Sequence, residues 1–348
     1  MPEVLKNILI IKPSSLGDIV LALPTLAALR RSFPDAEISW LVRPEFAPLL
    51  ENHPHLTRII PFDRKFLATA WYSRKAFAAF IALIRQLRSS GFDVVFDFQG
   101  LFRTAFLAWL SGCKNRFGIA DAREFGRIFY THKVPQDQDC IHLVDYYLKI
   151  IRAAGTSNTD VQFVLPVAPV AVDSVKNLLT DNGVKANHYA ILVPGAARAN
   201  KRWPIERFAQ LADKISSAFG LSIIVTGSPS ERDHIEKLKE TANAHVANLA
   251  GKTSLAELVA LLKDARLVVS GDTGPGHIAA ALGVPVVLIF GPTNPARVEP
   301  YKRSECVVAI DPNGRGLKAD SYDPGHSIER ITVEQVYQKV REQLNSTL

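Results

Sequence analysis

Cysteine is scarce in this chain: Cys113, Cys140 and Cys306 are the only three in 348 residues. An odd number at such wide spacing offers neither a CxxC pair nor a zinc framework, and it fits thiols kept reduced. No run of about 18 uninterrupted apolar residues is present, so no membrane-spanning helix is expected. Neither GxGxxG nor GxxxxGK(S/T) appears, which removes the signatures of dinucleotide hydride transfer and of P-loop phosphoryl transfer. No GxSxG elbow, no obvious Cys–His pair and no His–acid spacing of zinc type is found, so hydrolytic triads and metal catalysis have no footing. The pI is about 9.3, yet no RRM, KH or helix-turn-helix pattern accompanies it, and a nucleic-acid partner is not expected.

What is present is ordinary in amount and informative in arrangement. Apolar residues are 47% and charged residues 22%, near globular averages, and the length suits about two domains. The N-terminal stretch leads from a short apolar run into a Gly-containing loop rather than a cleavage site, which predicts a buried first strand and a cytoplasmic protein. The net charge of +7 is uneven, with 20 basic and 15 acidic residues in 1–165 against 21 and 19 in 166–348. Residues 58–88 hold Arg58, Arg64, Lys65, Arg74, Lys75, Arg85 and Arg88 against one acid, Asp63, interleaved with Phe66, Trp71, Tyr72, Phe77 and Phe80. Such a stretch suits a phosphate-rich or anionic-membrane partner, or else a solvated amphipathic helix whose Arg and Lys stems cover apolar surface.

Short apolar runs at 7–12, 37–42, 93–98, 188–193, 221–226, 265–270 and 284–290 read as buried strands. Helical patterns at 19–33, 206–219, 254–265 and 333–344 alternate with them, which predicts an α/β chain of two doubly wound, Rossmann-like domains facing a central cleft. Pro166 and Pro169 mark the boundary. The expected division is 1–166, then 167–330, then a C-terminal helix over 331–348 that can pack back towards the N-terminal domain. Ligands of open α/β sheets lie beyond the carboxyl ends of the strands, so the loops there carry the chemistry.

Four loops stand out. In PSSLGDIV (13–20), Gly17 lets the backbone turn, and Asp18 at the mouth of a helix starting near it is either a helix-dipole acid or a catalytic carboxylate. In PGAARANKRWP (194–204), the turn at Gly195, Ala196 and Ala197 exposes N–H groups, and Lys201 is either a loop cation or a phosphate ligand. In SGDTGPGH (270–277), glycines admit a pyrophosphate, Thr273 adds a hydroxyl and a helix begins near Pro275. Here His277 is either a satisfied core residue or a donor to a sugar or phosphate oxygen, and Asp272 fixes the loop or binds a hydroxyl. In TGSPSERDHI (226–235), Glu231 is a ribose ligand or a first-turn acid. A carboxylate in one domain, with phosphate loops and a lysine in the other, suits transfer from a nucleotide-diphosphate donor.

In order along the chain, SSLGD, DFQGLFRTA (97–105), DAREFGR (121–127), KRWP and SGDTGPGH…FGPTNP resemble the ADP-heptose:lipopolysaccharide heptosyltransferases, glycosyltransferase family 9, which have the GT-B fold. AREFGRIFY and the simple C-terminus are most similar to the members that add the first heptose to the Kdo of the inner core. The resemblance implies inverting transfer with Asp18 as general base and Lys201 stabilising the leaving diphosphate. It implies a donor site of Gly195, Ala196, Ala197, Lys201, Asp272, Thr273, Gly274 and His277, with Glu231 on the ribose and the backbone near Thr253 facing the adenine. Ser15, Gly17, Arg64, Lys65 and Arg123 would face a phosphorylated acceptor, Kdo-lipid A, at the anionic inner leaflet of the cytoplasmic membrane. ADP-heptose is then a substrate, and neither a resident cofactor nor a metal is implied. The chain departs from the family pattern at Ala196 and Ala197, where relatives often carry hydroxyls, and at Phe66 and Leu67, which follow Lys65 where a denser basic cluster is usual. Addition of the second heptose, or of another sugar, is the alternative transfer, and a non-catalytic binder of a nucleotide or anionic sugar is the alternative outside enzymes.

Overall fold

Two parallel sheets of six strands account for the architecture. The structure, a computed structural model, describes residues 5–312 and 315–345. The chain separates into two compact units, Met1–Pro166 and Val167–Leu348.

In the first unit β1 (Asn7–Ile11), α1 (Leu16–Ser32), β2 (Glu37–Val42), β3 (Arg58–Pro61), α2 (Arg64–Leu67), α3 (Arg74–Ser89), β4 (Val94–Asp97), α4 (Phe102–Leu110), β5 (Arg116–Ile119), β6 (His132–Val134) and α5 (Leu143–Arg152) follow in turn. The sheet order is β3-β2-β1-β4-β5-β6. The central strand β1 pairs with β2 (Ile11 opposite Leu41) and with β4 (Ile11 opposite Asp97), so three strand ends converge where the β1 loop begins. Leu9, Ile11, Leu41, Val95 and Leu87 form one core cluster, as expected of strands covered on both faces. Of the 58–88 stretch only the latter part is one long helix. Residues 58–61 form the edge strand β3 instead, because Ile59 and Ile60 dock beside Trp40 and Leu41.

The second unit comprises α6 (Pro169–Asp181), β7 (Tyr189–Val193), α7 (Ile205–Phe219), β8 (Ser222–Val225), α8 (Arg232–Thr241), β9 (Val246–Asn248), α9 (Leu255–Lys263), β10 (Leu267–Gly271), α10 (Gly274–Ala281), β11 (Val286–Phe290), α11 (Pro295–Val298), β12 (Val307–Ala309) and α12 (Val333–Asn345). Its order, β12-β11-β10-β7-β8-β9, is the same winding as in the first unit. Helix α12, set apart in the sequence reading, lies inside this unit. Val336, Val340 and Leu344 are buried with Leu211, Val269 and Ile289 in its core. The last three residues of the expected terminal segment lie outside the described residues. Trp203 anchors the start of α7: its indole N–H donates to the Ile331 carbonyl at 2.8 Å and its ring meets Phe208 edge-on. Among the described residues no helix is long and apolar enough to cross a membrane.

Candidate active site

The β1 loop is short because helix α1 starts at Leu16, two residues earlier than the position of Asp18 suggests. Ser15 is its N-cap, and Asp18 stands at the third helical position, where a carboxylate reaches back to the cap. Asp18 Oδ2 accepts from the Ser15 backbone N–H and from the Ser15 hydroxyl, both at 3.2 Å. It also lies 3.4 Å from the Lys12 ammonium. All three contacts fall on one oxygen, and among the described residues Oδ1 accepts no hydrogen bond. The Asp18 side chain is 32% exposed and that of Lys12 only 4%. Gly17 is buried beneath them.

Lys12 is the residue that sequence reasoning missed. It ends the run NILIIK and was absorbed into the strand, whereas a charged group closing a buried strand beside a Gly loop was the available signal. Its ammonium donates to the Phe98 carbonyl at 3.3 Å and stands over the Tyr147 ring at 5.6 Å. Burial pulls this ammonium down, but Asp18 and Tyr147 together outweigh it, so its pKa stands above the ordinary lysine value.

Neighbouring loops are tied together around this point. Asp97, fully buried at the end of β4, accepts from the Tyr130 hydroxyl at 2.7 Å and from the Gln99 N–H at 2.8 Å. Burial pushes its carboxyl up, with the Tyr130 hydrogen bond acting the other way. The Arg123 backbone N–H donates to the Gly100 carbonyl at 2.9 Å, which joins the β5 loop to the β4 loop and leaves the Arg123 side chain exposed. Arg64 and Lys65 are exposed on α2, beside Phe66. Trp71 (85% exposed), Tyr72 (65%) and Phe77 (55%) continue that surface.

In the second unit the loops after β7 and β10 meet. Lys201 Nζ donates to Asp272 Oδ2 at 2.5 Å, and His277 Nε2 donates to Asp272 Oδ1 at 3.1 Å. Burial would push the Asp272 carboxyl up, yet His277 and then Lys201 hold it well below the usual carboxylate range. His277 is therefore satisfied within the protein, while Lys201 keeps N–H groups to spare. Thr273, the N-cap of α10, shares a hydroxyl contact of 2.8 Å with Ser270, and Gly274 opens the helix. At Gly276 a Cβ would stand 2.6 Å from Leu288, so glycine lets α10 lie flush against the sheet.

Glu231 closes over the β7 turn from the β8 side. A Cβ at Gly195 would stand 2.0 Å from Glu231 Oε1, so only glycine admits the carboxylate there. Glu231 Oε2 accepts from the Ser228 N–H at 2.7 Å and from its hydroxyl at 2.8 Å, a capping role that leaves Oε1 beside Gly195. Ala196 is buried, its carbonyl taken by Arg202 Nε at 2.9 Å, and Ala197 is exposed. Thr253 is half-buried just before Ser254, the N-cap of α9. Of the residues foreseen from sequence, Asp18 stands with Ser15 in the first unit, and Lys201, Asp272 and His277 stand together in the second, as do Gly195 and Glu231. A second ion pair in the second unit, Arg198–Asp320, was not foreseen.

Comparison with known proteins adds the chemistry that such a layout serves. Residues 80–322 match the model of glycosyltransferase family 9 (heptosyltransferase). Lipopolysaccharide heptosyltransferase 1 of Escherichia coli is 30% identical over 86% of this chain and 92% of its own. Lipopolysaccharide heptosyltransferase 2 of the same organism is 24% identical over 98% of both. Among solved structures, a family 9 glycosyl transferase from Veillonella parvula superposes with a TM-score of 0.84, at 23% identity, over 99% of each chain. The E. coli heptosyltransferase WaaC with ADP-2-deoxy-2-fluoro heptose superposes with a TM-score of 0.72, at 27% identity, over 97% of this chain and 99% of that one.

Proposed function

Because the chain belongs to glycosyltransferase family 9, the heptosyltransferases of lipopolysaccharide core synthesis, we propose that it transfers heptose from ADP-L-glycero-D-manno-heptose to the Kdo of Kdo-lipid A. The observation that carries this reading is the Asp18 carboxylate, anchored through Oδ2 and open at Oδ1. As the acceptor hydroxyl oxygen bonds to the anomeric carbon from the face opposite the diphosphate, its proton passes to Oδ1. The bond from the anomeric carbon to the phosphate oxygen breaks with its electron pair leaving on ADP, so the configuration inverts. Lys12 and Ser15 hold the carboxylate in place through the oxygen that takes no proton.

Charge building on the departing β-phosphate meets Lys201 and the N–H groups of the β7 turn and of the α10 start, arranged before the reaction. Asp272 and His277 hold that lysine. With Ala196 and Ala197 lacking hydroxyls, the turn's share falls to backbone. Glu231 suits the ribose diol through Oε1, the backbone near Thr253 suits the adenine, and the reading calls for no resident metal or cofactor.

On the acceptor side, Ser15 and Gly17 border the reacting hydroxyl, and Arg64, Lys65 and Arg123 suit the phosphates of an anionic glycolipid. The aromatic side chains beside them suit a bilayer interface, which supports a cytoplasmic enzyme peripheral to the inner face of the membrane. Release of ADP from ADP-heptose, with Kdo-lipid A or heptosyl-Kdo-lipid A as acceptor, tests the proposal. Turnover on Kdo-lipid A, lost in Asp18→Ala while ADP still binds, is the expected result. Turnover on the heptosylated lipid alone would assign the second heptose instead, and full activity of Asp18→Ala would remove the base.

A further inference from the structure

Lys201 is not the sole cation offered by the β7 loop. Arg198, three residues earlier in the same turn, extends Nη1 and Nη2 to Asp320 Oδ2 and Oδ1, each at 2.8 Å. This is the parallel fork with which a guanidinium also grips two oxygens of a phosphate. Asp320 comes from a different part of the chain, yet its position is fixed. Its backbone bridges to Thr293 in the loop after β11. The Asn294 N–H donates to the Ala319 carbonyl at 2.9 Å, and the Ser321 N–H to the Pro292 carbonyl at 2.7 Å.

Strands β11, β10 and β7 are parallel neighbours, so the loops that follow them leave the same edge of the sheet side by side. Lys201–Asp272 and Arg198–Asp320 are therefore adjoining pairs, and each senses the other. The Arg198 guanidinium is raised by Asp320 and, more weakly, by Asp272. Asp320 is lowered chiefly by Arg198, with Lys201 contributing and Asp272 opposing. Together they put two cations and two carboxylates where a diphosphate is to bind, and the charges of the two pairs cancel. A dianion there gains from a cation freed of its carboxylate. Lys201 is held on an almost buried carboxylate that His277 also grips, whereas the Arg198 side chain is 50% exposed.

We propose that Arg198 is a second ligand of the donor diphosphate, exchanging Asp320 for phosphate oxygens when the nucleotide binds. Asp320 is then a competitor for the guanidinium and not a ligand of the nucleotide. This rests on the nucleotide-sugar reading above and names a residue that the reading did not include.

The two partners should respond with opposite signs, which a purely structural clasp would not produce. Binding of ADP and of AMP to the full-length protein, followed by calorimetry, is the measurement, with urea midpoints confirming that each variant is folded. Arg198→Gln is expected to weaken ADP by about tenfold and AMP by less, the cost of one charge-assisted fork. Arg198→Lys should recover part of the loss. Asp320→Asn, which frees the arginine, is expected to keep or tighten ADP binding. Equal weakening by Arg198→Gln and Asp320→Asn would make the pair a clasp and overturn the proposal, as would an unchanged ADP-to-AMP ratio in Arg198→Gln. Wild-type protein that binds neither nucleotide would overturn the nucleotide-sugar reading itself, a result distinct from either.

Discussion

Each unit places a lysine–aspartate pair beyond the carboxyl ends of its sheet, and the two pairs are built in opposite senses. In the first, the lysine is the buried member (4% exposed) and the aspartate stands at 32% with one oxygen unengaged. In the second, Lys201 and Asp272 are both largely covered, at 17% and 11%, and His277 occupies the carboxylate's other oxygen. A carboxylate with access and an empty lone pair can take up a proton. One gripped on both oxygens by cationic partners takes up a proton far less readily, and serves instead to fix the cation beside it. Identical residue types on the same topology thus suit a base in one unit and a phosphate-binding lysine in the other, according to which member the fold buries.

Substituting the two aspartates breaks the comparison most sharply. Asp18→Ala should reduce turnover by about 10²–10⁴. Its stability, read from the urea midpoint, should also fall, by about 1–3 kcal/mol, because the helix loses its cap and the buried Lys12 ammonium keeps the Phe98 carbonyl but loses its anion. Asp272→Asn should lose more, about 3–5 kcal/mol, because Lys201 and His277 would both remain without their anion. Comparable midpoints for the two variants would mean that burial does not separate the pairs.

Acid separates the units next. Asp272 and Asp320 sit below the ordinary carboxylate value. Their contribution is therefore complete above about pH 4 and is lost only as pH falls further. His53, in the first unit, is pushed down to about 4 by burial. Its Nε2 donates to the Val164 carbonyl at 2.9 Å, and Nδ1 accepts from the His55 N–H. Between pH 6.5 and about 4 the unfolded chain binds a proton there and the native one does not, so stability falls as pH drops through that window. The loss approaches ~3 kcal/mol. Urea midpoints from pH 7 to 4.5 should show it, and His53→Asn should flatten the curve.

Lys12→Met is the smallest and most pointed change. Removing an ammonium that the fold favours over its neutral form should lower stability only slightly, because the Asp18 left behind is one-third exposed to water. Turnover should drop by roughly tenfold, because the developing base loses the charge that orients it. A loss of stability with turnover intact would make Lys12 a structural residue only.

Much of the fold was legible because both sheets are covered on their two faces. The seven strands read from the sequence are all inner strands, and most are continuous apolar runs. Four of the five missed, β3, β6, β9 and β12, are edges of three or four residues with a partner on one side only, as in RIIP and HKV. The fifth, β5, carries Gly118, against which the Tyr130 ring packs too closely for any Cβ. At the site, Asp18, Lys201, Asp272 and His277 were visible because they sit in Gly-containing loops after strong strands. Lys12 was hidden within a strand pattern, and Arg198 read as one loop cation among several.

Apolar periodicity and Gly–Pro punctuation are local properties, and from them follow two doubly wound units, their division at Pro166 and the Gly-containing loops after the strong strands. Which charge faces which was decided only by the tertiary structure. Lys12 meets Asp18, His277 turns to Asp272, and Arg198 reaches Asp320 across 122 residues. An ion pair depends on burial and on the approach of distant loops, and neither is written in the spacing of the residues that form it.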